Sequence, residues 1–451
     1  MKRAAPVLLA ALASAGAAQA SEPPAFKLVR SDEDYGYLRN ATNRTGLDPL
    51  RYLPLGDDAY LSFGGEARLR VDAVDTPRFG LGGAQSDTFA LGRLLLSSDL
   101  RLGQAVRVYG ELGLHRDYAK KDKPAATDRD GVDAQVLFVD VTPASGWRFR
   151  LGRQELQLNP AQRFVAVREA PNIRQSFDGA RITRTAGKLK LDAFYLQPVV
   201  ISTGAFDDTR SRTQRFYGLY ASTRLSPRQT LDVYALGLER DAVRFGTITG
   251  DERRTSLGAR LSGAEGQVDY EVEGVVQGGR FAGRRIRAFA ASAGGGYTLD
   301  QPWKPRLGLR LDVGSGDRDA TDGKLGTFNP MFPKGAYFNE TGLFSWGNLA
   351  VARASLGVTP IKAVSVEASY TVHRLWTGAD AIYLQPLVPL AAARSGQSKD
   401  VGDAVQLDAT WQVNRNLKLQ GQLARQDAGP AVRALGGKPT NLAVFFAQFR
   451  F

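Results

Sequence analysis

"LSFGGEARLRVDA", residues 61–73, is the stretch that decides the fold. Its odd positions are Leu61, Phe63, Gly65, Ala67, Leu69, Val71 and Ala73, and its even positions are Ser62, Gly64, Glu66, Arg68, Arg70 and Asp72. Every charge falls on one side of a period-2 pattern. Side chains of a β-strand alternate between two faces, so this is a strand with one apolar and one charged face. Two media are possible for each face: a protein core or lipid for the first, bulk water or an enclosed aqueous space for the second.

The pattern recurs along the chain. Residues 104–116 set Val106, Val108, Leu112 and Leu114 against Arg107, Glu111 and His115. Residues 267–277 set Val268, Tyr270, Val272 and Val276 against Asp269, Glu271 and Glu273. Residues 304–313 set Leu307, Leu309, Leu311 and Val313 against Arg306, Arg310 and Asp312. About eighteen such segments follow one another, from 59–73 through 214–225, 229–239, 253–264 and 284–299 to 441–451, and no long 3.6-residue period competes with them. Most reach ten residues or more, whereas strands of ordinary globular proteins average about five or six. A tilted strand that crosses a bilayer needs about 9–11.

The connections carry an independent signal. Links after even-numbered segments are short, such as Gly103, Ala186-Gly187, Glu265-Gly266 and Asn414-Arg415. Links after most odd-numbered segments are long and polar, as in 117–131, 158–176, 199–213, 316–346, 376–400 and 427–440. Short turns at one end and long loops at the other mark a transmembrane antiparallel β-barrel of the bacterial outer membrane, with the turns in the periplasm and the loops extracellular. Aromatics near strand ends, such as Phe63, Trp147, Phe149, Trp303 and Trp411, fit interfacial girdles in contact with outer-membrane lipid. A soluble sandwich would also alternate, but it explains neither the strand length nor the loop asymmetry.

The start of the chain agrees with export. Lys2 and Arg3, the apolar run Ala4 to Ala15 and the triplet Ala18-Gln19-Ala20 read as a signal peptide over residues 1–20. Residues 21–58 then form a periplasmic N-terminal segment, and 59–451 the barrel. There is no cysteine, hence no disulfide framework. The formal net charge is +13, or +11 once Lys2 and Arg3 leave with the signal. That excess favours anionic partners, and the exported route makes nucleic acid the least favoured of them.

Within a barrel, alternation names the residues that line the lumen. The basic set is Arg68, Arg70, Arg93, Arg101, Arg107, Arg148, Arg150, Lys190, Arg260, Arg287, Arg310, Arg353 and Lys418. The acidic set includes Glu66, Asp99, Glu111, Asp269, Glu271 and Glu273. Arginine rings select anions in wide pores, and a guanidinium matches a carboxylate bidentately. A basic channel for anionic solutes or an anionic polysaccharide is expected, with a substrate-specific porin for small anionic or polar solutes as the alternative, against the plainer reading that these charges pair across strands.

Two resemblances sharpen this. The chain ends in "AVFFAQFRF", with Ala443, Phe445, Ala447, Phe449 and Phe451 on one face. This is similar to the C-terminal signature strand of bacterial outer-membrane proteins, which implies recognition of Phe451 by the barrel-assembly machinery. "RSDEDYGYLRN", "LRYLPLGDDAYLSFGGEARLR", "FRLGRQELQLN", "NIRQSFDGARI", "GSGDRD" and "KDVGDAVQLDATW" occur in that order over nearly the whole mature chain. Together they resemble the alginate export family. The resemblance implies an 18-stranded barrel and export of alginate through an arginine-lined constriction. It makes Arg153, Arg174, Arg68 and Arg70 the leading site residues. Ala404 and Gln406 stand where that family usually carries acidic residues.

Other chemistry finds little support. Asp317, Asp319 and Asp322 before Gly323 lack the spacing of a calcium loop. His115 and His373 are the only histidines, and no nucleophile signature accompanies them. The glycine-rich "FGLGGAQ" and "AGGGY" have no strand-to-helix context, so no cofactor is expected. A barrel enzyme or a surface adhesin is the remaining alternative, distinguishable by a catalytic constellation at the rim or by large folded loops.

Overall fold

The computed structural model describes residues 24–40, 44, 46–245, 248–392 and 396–451. The expected signal peptide, residues 1–20, lies outside the described residues. One sheet holds 21 strands, three of them two-residue pieces (Leu53–Pro54, Thr209–Arg210 and Lys324–Leu325), which leaves eighteen long ones. In chain order these are β1 Ala59–Asp75, β2 Asp87–Leu102, β3 Val106–Tyr118, β4 Asp130–Val141, β5 Trp147–Glu155 and β6 Ser176–Ala186. They continue as β7 Leu189–Val200, β8 Gln214–Ser226, β9 Gln229–Phe245, β10 Ile248–Glu265, β11 Val268–Phe281 and β12 Arg284–Thr298. The last are β13 Arg306–Gly314, β14 Leu349–Ile361, β15 Val364–Leu375, β16 Asp400–Gln412, β17 Leu417–Gln426 and β18 Thr440–Arg450.

Each long strand pairs antiparallel with its chain neighbour. β18 pairs back onto β1, from Glu66↔Arg450 to Asp75↔Asn441, and the barrel closes. Closure satisfies every strand edge, the condition for a sheet to lie in hydrocarbon. Tight turns at the periplasmic end use glycines at positive φ, such as Gly103 (φ 61°) and Gly187 (φ 58°), where a side chain would be strained.

The two faces of β1 are sorted as alternation requires. Glu66, Arg68 and Arg70 are buried toward the lumen, while Phe63 and Leu69 are exposed outward. Trp147, Phe149, Trp303 and Trp411 also face outward. Arg287 does not follow the expectation. On β12 the inward side chains are Ile286, Ala288 and Ala290, and Arg287 is exposed outward. The inner wall there is apolar because protein, rather than water, lies against it.

That protein is the barrel's own loops. Segments 156–175 and 315–348 fold inward and pair through Val165 and Phe332, with Ala166 N donating to Phe332 O at 2.9 Å. Segment 376–399 adds the hairpin Ile382–Leu384 and Val388–Ala391, joined to the second loop at Phe344 and Leu384. A four-residue helix, α1 Pro430–Arg433, contributes Ala431 and Val432. Together they bury Phe164, Phe328 and Trp346 against inward residues of β6–β9, including Phe177, Leu196 and Phe216. Trp346 is fully buried, with ring centroids of Phe164, Tyr337 and Phe338 5.0–5.2 Å away. The lumen therefore has an apolar sector, which seats the plug, a charged sector over β18 and β1–β5, and a second charged group on β10–β14 nearer the short turns.

Residues 24–40 and 46–58 sit across the short-turn mouth. Arg30 is buried and donates to Gly65 O at 2.9 Å and Phe451 O at 2.8 Å, tying this segment to both terminal strands. Arg101 reaches it from β2, with Asp34 at 2.7 Å and Glu33 O at 2.8 Å.

Candidate functional site

The charged sector centres on two carboxylates. Glu66 of β1 is fully buried and meets Arg93 of β2 at 2.6 Å, Arg450 of β18 at 2.9 Å and Arg174 at 3.4 Å. Glu169 belongs to the inward loop 156–175, and its carboxylate also contacts Arg93, Arg174 and, at 3.7 Å, Arg68 and Arg450. Burial alone would push the Glu169 carboxyl up. The Arg174 and Arg93 guanidiniums outweigh it and hold the group well below the usual carboxylate range.

The loop backbone completes the contact. Arg68 donates to Glu169 O at 2.6 Å and Pro171 O at 2.8 Å, and Arg70 to Ala170 O at 3.1 Å. Arg70 also holds Asp72 through two bonds of 2.6 and 3.0 Å. Arg68, Arg70, Arg93 and Arg174 thus converge, and they grip the chain's own loop.

The other arginines named from sequence lie elsewhere. Arg107 clasps Asp99 at 2.6 and 2.9 Å, and Arg150 clasps Asp140 at 2.7 and 2.8 Å, with the Arg150 guanidinium 3.5 Å from the centre of the Phe138 ring. Arg153 stands apart with Asp178 at 2.9 Å and Asp133 at 3.4 Å. Arg310 and Arg353 line a separate cavity, each with one carboxylate: Asp312 at 2.9 Å and Glu367 at 2.6 Å. All nine are therefore ion-paired: Arg93, Arg107, Arg150, Arg153 and Arg353 across strands, Arg70 and Arg310 with an aspartate two residues along their own strand, and Arg68 and Arg174 through the inward loop.

That cavity has a volume of about 490 Å³ and opens within the lumen toward the short turns. Its charged lining is Arg163, Arg228, Arg306, Arg310 and Arg353 against Asp269 and Glu271. Arg163 comes from the inward loop and meets Glu273 at 2.7 Å and Tyr337 Oη at 2.7 Å, with Glu271 beside it. Burial alone would lower the Arg163 pKa, but Tyr337, Glu271 and Glu273 outweigh it, so the guanidinium stays charged. Asp269 pairs with Arg306 at 2.6 Å, and Glu271 also accepts from Arg260 at 2.7 Å. Arg287 takes no part.

Sequence reasoning missed Arg163, Arg228 and Glu169, because alternation places strand residues only. It had Arg306 on the charged face and left it out of the lumen set. Among the described residues Arg353 spends one of its donors, on Glu367, and keeps N–H groups for a ligand. A larger apolar hollow of about 1260 Å³ lies on the outer wall, lined by Leu356, Tyr370, Leu407 and Leu423. Its place is against acyl chains.

Solved structures with the same architecture are outer-membrane proteins of Pseudomonas aeruginosa. OccK11 (OpdR) is 13% identical with a TM-score of 0.56, covering 89% of this chain and 99% of its own. OccK2 (OpdF), solved in complex with glucuronate, is 12% identical with a TM-score of 0.57, covering 87% and 98%. OccD3 (OpdP) is 12% identical with a TM-score of 0.59, covering 87% and 91%. At these identities the likeness establishes the fold. No curated protein sequence matches the chain. The alginate export family profile matches residues 59–446, which is the barrel from its first strand to within a few residues of its last. The expected eighteen-stranded outer-membrane barrel is what that match and this architecture share, and the chain belongs to the alginate export family of outer-membrane channel proteins.

Proposed function

We propose that this channel passes small carboxylated solutes of the uronate class and that its inward loops form the gate. The observation that carries this reading is the 490 Å³ cavity, where five guanidiniums face two carboxylates inside the lumen. Its size falls in the ~300–1,000 Å³ range of small-molecule sites. Planar guanidiniums suit carboxylate oxygens, and the hydroxyls of a sugar suit the remaining N–H and carboxylate groups. OccK2, whose fold is similar, was solved with glucuronate bound.

Passage of an anionic, alginate-like polysaccharide is the second reading, favoured by the family match. It requires the 156–175 and 315–348 loops to leave the lumen. Single-channel recording of the refolded barrel in a planar bilayer separates the two. Small-solute transport predicts anion selectivity under a salt gradient and concentration-dependent block by glucuronate, both weakened in Arg310→Ala and Arg353→Ala. Block by polyuronate alone would favour the polymer. Cation selectivity would overturn both.

A further inference from the structure

One aspartate and an adjacent pair distant from it in sequence meet at the loop end of the barrel. Asp130 opens β4, and Asp207 and Asp208 lie in the 201–213 loop between β7 and β8. One carboxylate oxygen from each lies within 4.8 Å of the others. The loop is held against the strand by its backbone, with Phe206 N donating to Val132 O at 3.0 Å. Gly131 permits this approach, since a side chain there would collide with the Gly204 carbonyl.

The surroundings point to a ligand independently of the carboxylates. Asp130 is 2% exposed, and among the described residues its Oδ1 has no hydrogen-bond partner. His115, its register partner on β3, is 1% exposed, and neither ring nitrogen has a partner. His115, Asp130, Asp133 and Asp208 line one small cavity of about 40 Å³, room for an ion with a water or two; Arg168 and Arg174 line it too, Arg174 being paired with Glu169 and Glu66, while Asp207 stands at its edge in the loop. Buried polar atoms are almost always satisfied, by protein, water or an ion.

The charge balance agrees. Arg153 contacts Asp133 at 3.4 Å and the Asp208 carbonyl at 3.1 Å, and it is shared with Asp178. Backbone amides orient the other two acids, Ser202 N to Asp208 at 2.7 Å and Gly204 N to Asp207 at 3.1 Å. Crowded carboxylates repel unless a cation sits between them.

We propose that Asp130, Asp207 and Asp208 bind one hard divalent cation of the calcium class, which pins the 201–213 loop to the mouth of the barrel. An all-oxygen donor set of carboxylates selects calcium or its relatives over softer metals. The His115 imidazole, outside the three-carboxylate set, would face a water of the ion's shell rather than the ion.

The test uses the whole refolded barrel, stripped with EDTA and titrated with calcium chloride by calorimetry. One saturable site with a dissociation constant of about 1 mM or tighter is expected, as for extracellular calcium modules. Asp207→Asn with Asp208→Asn should weaken it at least roughly tenfold, the usual cost of losing metal-site groups. The control Asp319→Asn with Asp322→Asn alters exposed acids that bond Thr321 and Lys324, and should change nothing. Proteolysis within 201–213 should be slower with calcium in the parent barrel, a readout that needs no variant to fold. Absence of saturable binding in the parent, or binding that survives the double substitution, overturns the proposal. So does calcium-independent cleavage of the loop.

Discussion

Replacing Trp346 by alanine should open the channel. The side chain is fully buried at the centre of the plug and touches Phe164 from one loop and Tyr337 and Phe338 from its own. An indole buries ~200 Å². At ~25 cal/mol per Å² this contributes ~5 kcal/mol to holding the loops together. Its Nε1 has no hydrogen-bond partner among the described residues, and an unpaired buried donor costs ~1–3 kcal/mol. Truncation should therefore weaken docking by ~2–4 kcal/mol, which raises the undocked population roughly 30- to 700-fold at ~1.4 kcal/mol per decade. The strands supply the barrel's hydrogen bonds independently of this ring, so the wall should stay intact. The assay is single-channel recording, with the fraction of time in the largest conductance as readout. Trp303→Ala, in the short turn between β12 and β13 at 60% exposure, is the control. If Trp346→Ala gave folded channels whose open fraction matched the parent, the plug would not be the gate.

Glu169→Gln should free the 156–175 loop. It leaves Arg68, Arg93, Arg174 and Arg450 with Glu66 as their remaining central carboxylate, and losing one partner of a buried ion-pair cluster costs about 3–5 kcal/mol. Faster proteolysis within the loop and stronger anion selectivity are expected, and an unchanged cleavage rate would refute the latch. Glu340, on the 315–348 loop, has its carboxyl raised by burial, which outweighs the opposing pull of Arg70. A raised carboxyl stabilises docking fully below the ordinary value of about 4.3 and loses that contribution as pH rises through the folded value. Conductance should fall on acidification across that window, and Glu340→Gln should flatten the dependence; a profile identical to the parent's would remove Glu340 from it. Arg30→Ala strips donors from the Gly65 and Phe451 carbonyls and leaves Glu33 without its guanidinium. A loss of ~1–3 kcal/mol should release the 24–58 segment to protease before the barrel melts. Co-operative loss of both would show that the segment is part of the barrel's own folding unit.

Alternation made the wall legible and the contents of the lumen opaque. Each of the eighteen segments expected from period 2 is a strand, and ends such as Ala59, Gln214, Gln229 and Arg284 agree with the segments 59–73, 214–225, 229–239 and 284–299. The β9 and β10 strands run well past expectation, to Phe245 and from Ile248, because residues 240–245 go on pairing with 248–252 beyond a β-bulge between Arg240 and Val243. Arg287 shows the limit of the rule. Period 2 sorts residues into two faces, but only the neighbours decide which face is inside. On β12 the inner neighbours are the plug's apolar residues, so Ile286 and Ala288 point in and the arginine points out. Arg163 and Glu169 lie on a loop, where no period exists to aim them, although both organise the charged groups of the lumen. At the rim, Asp130 is separated from the adjacent pair Asp207 and Asp208 by more than seventy residues, and only the fold of the 201–213 loop brings them together.

The seam between β1 and β18 constrains how the molecule can be made. It joins residues 66–75 to 441–450, nearly the full length of the described chain, and Arg30 adds a bond to Phe451 across the same junction. Contacts of such high sequence separation form late, because the entropy of closing the loop must be met before they return anything. Until β18 docks, β1 presents an unpaired edge, and hydrocarbon offers no substitute for its missing partners. Insertion into the bilayer thus cannot proceed strand by strand to a series of stable waypoints. A chain ending before residue 440 loses closure itself rather than one strand in eighteen, and would be left as an open, sticky sheet for the cell to degrade.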